Sequence, residues 1–233
     1  MTISVNVRER VLHANEAAAA ALRERFAATG TLVVNLVSSP GSGKTTLLET
    51  TLDALHRSLR VAALVGDIAT ERDAARLRAT GAPARQILTG GACHLDARQL
   101  LQELDAAPFG DLDVLFVENV GNLICPTAYD LGEDFKVVLL SVAEGDDKPF
   151  KYPAIFARAD VTLVTKTDLV PYVRFDWAEA VGQVRALRPD GRVLGVSAFT
   201  GEGIEAWVEF LRERLAVKRA AFARAHEPLG AGA

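Results

Sequence analysis

Apolar residues along this chain fall into two alternating kinds of run. Short, nearly continuous stretches read as strands buried on both faces: Leu32–Val37, Arg60–Val65, Ala84–Leu88, Asp113–Glu118, Lys136–Val142, Val161–Val164 and Arg192–Val196. Between several of them, apolar residues recur at helical spacing among charges, over Leu47–Leu59, Glu71–Ala79 and Cys93–Leu104. A closing helix is predicted from about Gly203 to Arg224, followed by a flexible tail over about 226–233. Ahead of the first strand, residues 5–29 carry Val, Leu and Ala among Arg and Glu. This pattern predicts an amphipathic helix ended by Gly30. Strands alternating with helices specify an α/β fold: a mostly parallel sheet, helices on both faces, and ligands at the carboxyl ends of the strands. The pattern shows no repeat and no second core, so one domain is expected over residues 1–233.

Composition changes little in this picture. A formal net charge of −4 gives no basic excess for nucleic acid, and no basic tract suggests membrane attachment. The apolar runs are strand-length, well below the ~20 residues of a transmembrane helix. Charges at Arg8, Glu9 and Arg10 interrupt the place where a signal peptide needs its apolar core. A cytoplasmic protein is expected, in which two cysteines are thiols or metal ligands rather than a disulfide.

The first strand leads into Ser38-Ser39-Pro40-Gly41-Ser42-Gly43-Lys44-Thr45-Thr46, and a helix follows. Strand, glycine-rich turn, Lys-Thr and helix form the context of a phosphate-binding loop, so the fold expected is that of a P-loop NTPase. Gly41 and Gly43 let the backbone turn so that N–H groups, with Ser42 and Thr46 among their carriers, point at a phosphate. Lys44 is placed to neutralise β/γ-phosphate oxygens and the Thr45 hydroxyl to hold Mg²⁺, at the positive end of a helix. The consensus begins with Gly; here that position is Ser38.

Two later segments bear on the base. Thr165-Lys166-Thr167-Asp168 follows a buried strand where P-loop GTPases carry Asn-Lys-x-Asp. Asp168 would accept two guanine protons, and the Lys166 stem would cover the ring. Adenine offers no such donor pair, and polar matching of this kind discriminates by roughly 10⁴ or more. Thr165 in place of Asn removes the residue that normally braces neighbouring loops. Ser197-Ala198, after the last strand, resembles the element whose backbone N–H meets guanine O6. GTP and GDP are therefore the expected ligands.

Asp67 and Glu118 each end a strand close in topology to the phosphate loop, which makes them candidates for the Mg²⁺ shell. Asp73 fits a first switch loop. In Glu118-Asn119-Val120-Gly121, Gly121 fits a second switch whose N–H meets a γ-phosphate. Lys148 lies in an Asp- and Pro-rich loop, where a solvated lysine and a contact to the nucleotide of a second subunit are both readings.

Cys93 and His94 are adjacent, and Cys125 follows Gly121 by four residues. Thiolate and imidazole suit Ni²⁺ or Zn²⁺. Spacing alone favours the plainer reading, two small buried hydrophobes and a helix-end histidine. No Cys-x-x-Cys pair is present, and adjacent residues on a helix diverge by about 100°.

Three segments together resemble a known family: Thr89–Ala97 (TGGACHLDA), Glu118–Pro126 (ENVGNLICP) and Glu144–Pro153 (EGDDKPFKYP). They are similar to the HypB family of nickel-incorporating GTPases of [NiFe]-hydrogenase maturation, over a span from about Asn15 to the last helix. The resemblance implies a metal site made by Cys93, His94 and Cys125 at a homodimer interface, and GTP hydrolysis that is slow. It further implies a HypA-type nickel chaperone and the hydrogenase large-subunit precursor as partners. Two features of some relatives are missing, an N-terminal Cys-x-x-Cys-Gly-Cys motif and a histidine-rich stretch, so nickel storage is not expected. Cys125-Pro126-Thr127 departs from the Cys-Pro-His of the urease GTPases. The alternatives are a chaperone for another nickel enzyme, urease among them, and a small-molecule kinase. The kinase would need an Arg-rich lid that the chain does not carry.

Overall fold

The computed structural model describes residues 2–67 and 71–227, with side chains from residue 9 onward. Residues 228–233 of the expected tail lie outside this range. Seven strands form one sheet: β1 (Leu32–Ser38), β2 (Val61–Asp67), β3 (Ala84–Leu88), β4 (Val114–Glu118), β5 (Phe135–Ser141), β6 (Val161–Thr165) and β7 (Arg192–Val196). Their order is β3-β2-β4-β1-β5-β6-β7, and every pairing is parallel. This is the α/β P-loop NTPase architecture that the sequence pattern predicts.

The long helices are α1 (Thr2–Thr29), α2 (Lys44–Leu55), α4 (Ala97–Ala106), α7 (Trp177–Leu187) and α8 (Ile204–Ala225). Shorter ones are α3 (Arg72–Arg78), α5 (Lys148–Lys151) and α6 (Pro153–Phe156). On one face α2, α3 and α8 bury Leu47, Leu48, Leu52, Trp207 and Leu211 against Val34, Leu36, Phe116 and Leu139. On the other face α1 and α4 bring Leu22, Phe26 and Leu100 onto Val33, Leu64 and Leu115. Each such side chain contributes about 1.5–3 kcal/mol of apolar burial. Gly30, at φ 68°, stops α1 in the left-handed region that glycine adopts without strain.

The strand order reverses beside β1, which has β4 on one side and β5 on the other. The carboxyl ends of β1, β2 and β4, and the loop after β5, therefore converge on one edge. Register fixes the convergence, since Leu36 of β1 stands opposite Glu118 of β4, and Val65 of β2 opposite the same Glu118.

Two local expectations are corrected. The helix predicted to begin at Cys93 begins at Ala97. Asp96 accepts from the Gln99 N–H at 2.9 Å while Gln99 Oε1 accepts from the Asp96 N–H at 3.1 Å. This reciprocal cap satisfies otherwise orphaned donors and sets the start of the helix there. Cys93 and His94 are thus loop residues, and the divergence of helical neighbours does not apply to them. The second correction concerns the Asp- and Pro-rich loop expected at Lys148, where α5 and α6 form; α7, for which the sequence reading named no element, is also helical. Asp176 caps the latter by accepting from the Glu179 N–H at 3.0 Å.

Candidate nucleotide and metal site

Gly41 and Gly43 hold φ of 77° and 91°, which lets the backbone fold into the compact loop that opens α2. Ser38, the residue standing in place of the consensus glycine, accepts from Lys44 Nζ through its Oγ at 2.8 Å. The lysine is thereby folded back over its own loop. Burial lowers the Lys44 pKa, while Glu118, Asp73 and Glu144 oppose that shift. Thr45 donates to Glu118 Oε1 at 2.7 Å, and Glu118 Oε2 is buried with no partner. Burial is the chief reason that the Glu118 carboxyl is pushed up to about 7; Lys44 and the Thr45 hydroxyl act the other way.

A cavity of about 500 Å³ opens here, lined by Gly41, Gly43, Lys44, Thr45 and Thr46 from the loop and by Asp67, Asp73, Glu118 and Gly121 from facing elements. A second cavity of about 310 Å³ adjoins it, lined by Ser42, Lys166, Asp168, Ala198 and Phe199. Gly43, Thr46 and Lys166 line both. The first space is polar and ringed by acids and Lys44; the second is the more enclosed, with apolar walls and one carboxylate. Lys166 sits in the left-handed region at φ 60° and donates from Nζ to the Gly41 carbonyl at 2.7 Å. Asp168 Oδ1 accepts from the Ser197 hydroxyl at 2.5 Å, which ties the Thr165–Asp168 and Ser197-Ala198 segments together. Thr165 donates to the Ser42 carbonyl at 2.7 Å. The bracing expected to vanish with the consensus asparagine is therefore supplied by a threonine hydroxyl.

Arg76 and Glu144 escape the sequence reading and stand in the site. Arg76 lines the polar cavity, donates to Thr46 Oγ1 at 3.1 Å and pairs with Glu49. Glu144 accepts from Ser42 Oγ at 2.8 Å. An arginine within a charged helix and an acid after a strand carry no local signal; only the sheet order brings them to the loop. Lys148, at the start of α5, lines neither cavity of its own chain and packs over the Tyr152 ring at 5.5 Å.

At the neighbouring edge, Cys93, His94 and Cys125 meet. One ligand atom from each lies within 4.8 Å of the others. Asn119 assembles this corner by accepting from the Leu95 N–H and the Val120 N–H, both at 3.0 Å. Gly66 of β2 completes it, because a Cβ there would lie 2.5 Å from Leu95 Cγ. The contact to Cys125, followed by burial, pushes the Cys93 thiol up. Burial holds the His94 imidazole below its usual value, which favours the neutral, metal-binding form.

A family model described as the CobW/HypB/UreG nucleotide-binding domain matches residues 32–194. The hydrogenase maturation factor HypB of Escherichia coli K12 is 50% identical over 201 residues, which cover 86% of this chain and 69% of that protein. The chain belongs to the HypB family. Solved structures agree in shape. HypB from Archaeoglobus fulgidus superposes with a TM-score of 0.82 at 38% identity, covering 87% of this chain and 99% of that one. HypB from Helicobacter pylori, solved in complex with nickel, gives 0.81 at 40% identity, covering 89% and 96%. Among the described residues, no helix is long and apolar enough to cross a membrane.

Proposed function

We propose that this protein is a cytoplasmic, metal-responsive GTPase that assists nickel insertion into [NiFe]-hydrogenase. The observation that carries this reading is the pair of adjoining cavities with a thiol–imidazole cluster beside them, joined by the short segment from Glu118 to Cys125. The enclosed cavity suits guanine, with the Asp168 carboxylate for the N1 and N2 protons, the Lys166 stem on a ring face and the Ala198 backbone at O6. The phosphates then pass Gly43 and Thr46 into the polar cavity, where Lys44 and the loop N–H groups meet them.

Thr45, Asp67 and Glu118 would supply hard oxygen donors, and the buried, unpartnered Glu118 Oε2 is an acceptor that a cation would satisfy. This set fits Mg²⁺, which when bound would neutralise charge on the β- and γ-phosphates. Hydrolysis is attack of water on the γ-phosphorus, with the bond to the β-phosphate oxygen breaking to give GDP and phosphate. Lys44 stabilises charge on the leaving and transferred oxygens. Gly121, whose backbone faces the loop at Pro40, offers its N–H to the γ-phosphate. Nickel is cargo rather than a resident cofactor, and Cys93, His94 and Cys125 form a soft donor set for it, or for Zn²⁺. Three ligands leave a closed site incomplete, so a fourth comes from water or from a second copy of the chain. In such a homodimer Lys148, which lies outside its own cavities, reaches the partner's nucleotide. A HypA-type nickel chaperone and the hydrogenase large-subunit precursor are the partners this role requires.

Phosphate release is the test. Wild type should hydrolyse GTP and not ATP, Lys44→Ala should lose hydrolysis while retaining its fold, and Ni²⁺ should change the rate in wild type but not in Cys125→Ala. Equal turnover of ATP and GTP would refute the base assignment, and activity in Lys44→Ala the phosphate-loop assignment.

A further inference from the structure

Phe199 is 89% exposed, and among the described residues its ring joins no ring pair and no cation–ring contact. A single exposed apolar side chain carries no message by itself. Its place does, because Phe199 lines the enclosed cavity together with Lys166, Asp168 and Ala198. A ring that is both exposed and a wall of that cavity lies at its rim. The backbone beneath it is braced. The Ser197 N–H donates to the Glu202 carbonyl at 2.9 Å, the Gly201 N–H to the Ser197 carbonyl at 2.9 Å, and the Thr200 N–H to Ser197 Oγ at 3.1 Å. Thr167 Oγ1 donates to Glu202 Oε2 at 3.1 Å, which ties this turn to the segment that carries Asp168. Gly203 closes the turn so near β7 that a Cβ on it would stand 2.0 Å from the Gly195 carbonyl oxygen. Residues 197–203 thus form a fixed frame that presents one solvated aromatic ring.

We infer that Phe199 stacks on the face of the base opposite the Lys166 stem, and sets how tightly and how long a nucleotide is held without choosing the base. The inference rests on the assignment of this cavity to guanine. Lys166 lines both cavities and is bonded through Nζ to the Gly41 carbonyl at 2.7 Å, so its stem runs on the phosphate-loop side. Phe199 lines the enclosed cavity alone of the two and comes from the turn after β7. Asp168 joins the two segments through Ser197, so a base that reaches its carboxylate has Lys166 on one side and the Phe199 turn on the other. A purine covered on one face leaves the second in water. An aromatic ring laid on that face removes apolar surface of both partners from water and adds the attraction of offset rings. The braced turn confines the ordering cost to one side chain. Every base has a π-face, so stacking adds affinity without reading the base edge, and discrimination stays with Asp168.

The experiment compares the full chain as wild type, Phe199→Ala, Phe199→Trp and Asp168→Asn, with GDP, a non-hydrolysable GTP analogue and xanthosine diphosphate as probes. Equilibrium affinity and the rate of release after a chase are measured, with the thermal midpoint of the nucleotide-free protein alongside. Phe199→Ala should weaken GDP and the GTP analogue by the same factor, about 5–150-fold, expressed mainly as faster release. Its ratio of GDP to xanthosine diphosphate affinity should stay within about twofold of wild type. Its thermal midpoint should not move, because an exposed ring adds little to the ligand-free fold. Phe199→Trp should restore most of the affinity, and its added emission, over the background of Trp177 and Trp207, should be quenched by GDP. If Phe199→Ala binds and releases GDP as wild type does while Asp168→Asn loses it, the inference alone is overturned. If wild type does not prefer GDP to xanthosine diphosphate, or Asp168→Asn keeps that preference, the base assignment falls and this inference with it. A loss confined to GDP would make Phe199 a reader of the base edge, and a Phe199→Trp emission that GDP leaves unchanged would remove the stack. Either result overturns the proposal, as does a lowered midpoint in Phe199→Ala with unchanged release.

Discussion

Replacing Glu118 by glutamine should make the nucleotide-free, metal-free protein more stable at alkaline pH while abolishing its response to Mg²⁺. The Glu118 carboxyl is buried, donates nothing, and accepts one hydrogen bond from Thr45 at 2.7 Å, with Oε2 unpartnered. Its pKa stands at about 7 in the fold against an ordinary 4.5. Between these values the folded chain retains a proton that the unfolded chain has released, so stability falls as pH rises from 4.5 through about 7. The difference of about 2.5 units, at 1.36 kcal/mol per unit, puts the full penalty near 3 kcal/mol above neutrality. At pH 5 only about 1 kcal/mol of it has developed. Glutamine keeps the acceptor for Thr45 and carries no charge to bury, so Glu118→Gln should gain about 2 kcal/mol more over wild type at pH 8 than at pH 5. Urea unfolding of chelator-treated protein at the two pH values measures this directly. The same variant should show no Mg²⁺-dependent gain in GTP affinity. An advantage equal at both pH values, or none at pH 8, would refute the account of Glu118 as an acid strained by burial.

Three further outcomes are expected. Asp168→Asn should lower GTP affinity and shift preference toward xanthine nucleotides, read by competition binding, since the amide offers an N–H donor that suits the carbonyl of xanthine and not the N2 amine of guanine. Arg76→Ala should weaken GDP and GTP by a similar factor of about 10, because Arg76 contacts Thr46 where the two cavities join, on the part of the ligand both nucleotides share. A loss confined to GTP, by fluorescence titration, would move Arg76 to the γ-phosphate. Gly66→Ala should cost about 1–3 kcal/mol of stability in thermal or urea unfolding, because its Cβ meets the buried Leu95 side chain. It should also weaken Ni²⁺ binding, because the displaced segment carries Cys93 and His94.

Local signals settled much of this protein before any contact was known. Continuous apolar runs need burial on both faces, and only a parallel sheet sandwiched by helices provides that for seven of them. The phosphate loop is equally local: a strand, two glycines that can take positive φ, and a Lys-Thr opening a helix are contiguous in sequence. The Thr165–Asp168 and Ser197-Ala198 segments could be named for the same reason, each being a short turn after a strand. Boundaries were less legible. The start of α4 depends on the competition between helix propensity and the Asp96–Gln99 cap, and the cap won. The thiol–imidazole corner was named only through the family resemblance, and its geometry comes from the tertiary structure. Cys93, His94 and Cys125 have no spacing that marks a ligand set, and they meet because β2 lies between β3 and β4 and Asn119 bonds across to Leu95. Arg76, Glu144 and the bracing hydroxyl of Thr165 belong with them, since each acts through a partner far off in the chain. A charge or a hydroxyl has no periodicity to betray its role; its partner is chosen by strand order, and strand order is a property of the whole sheet.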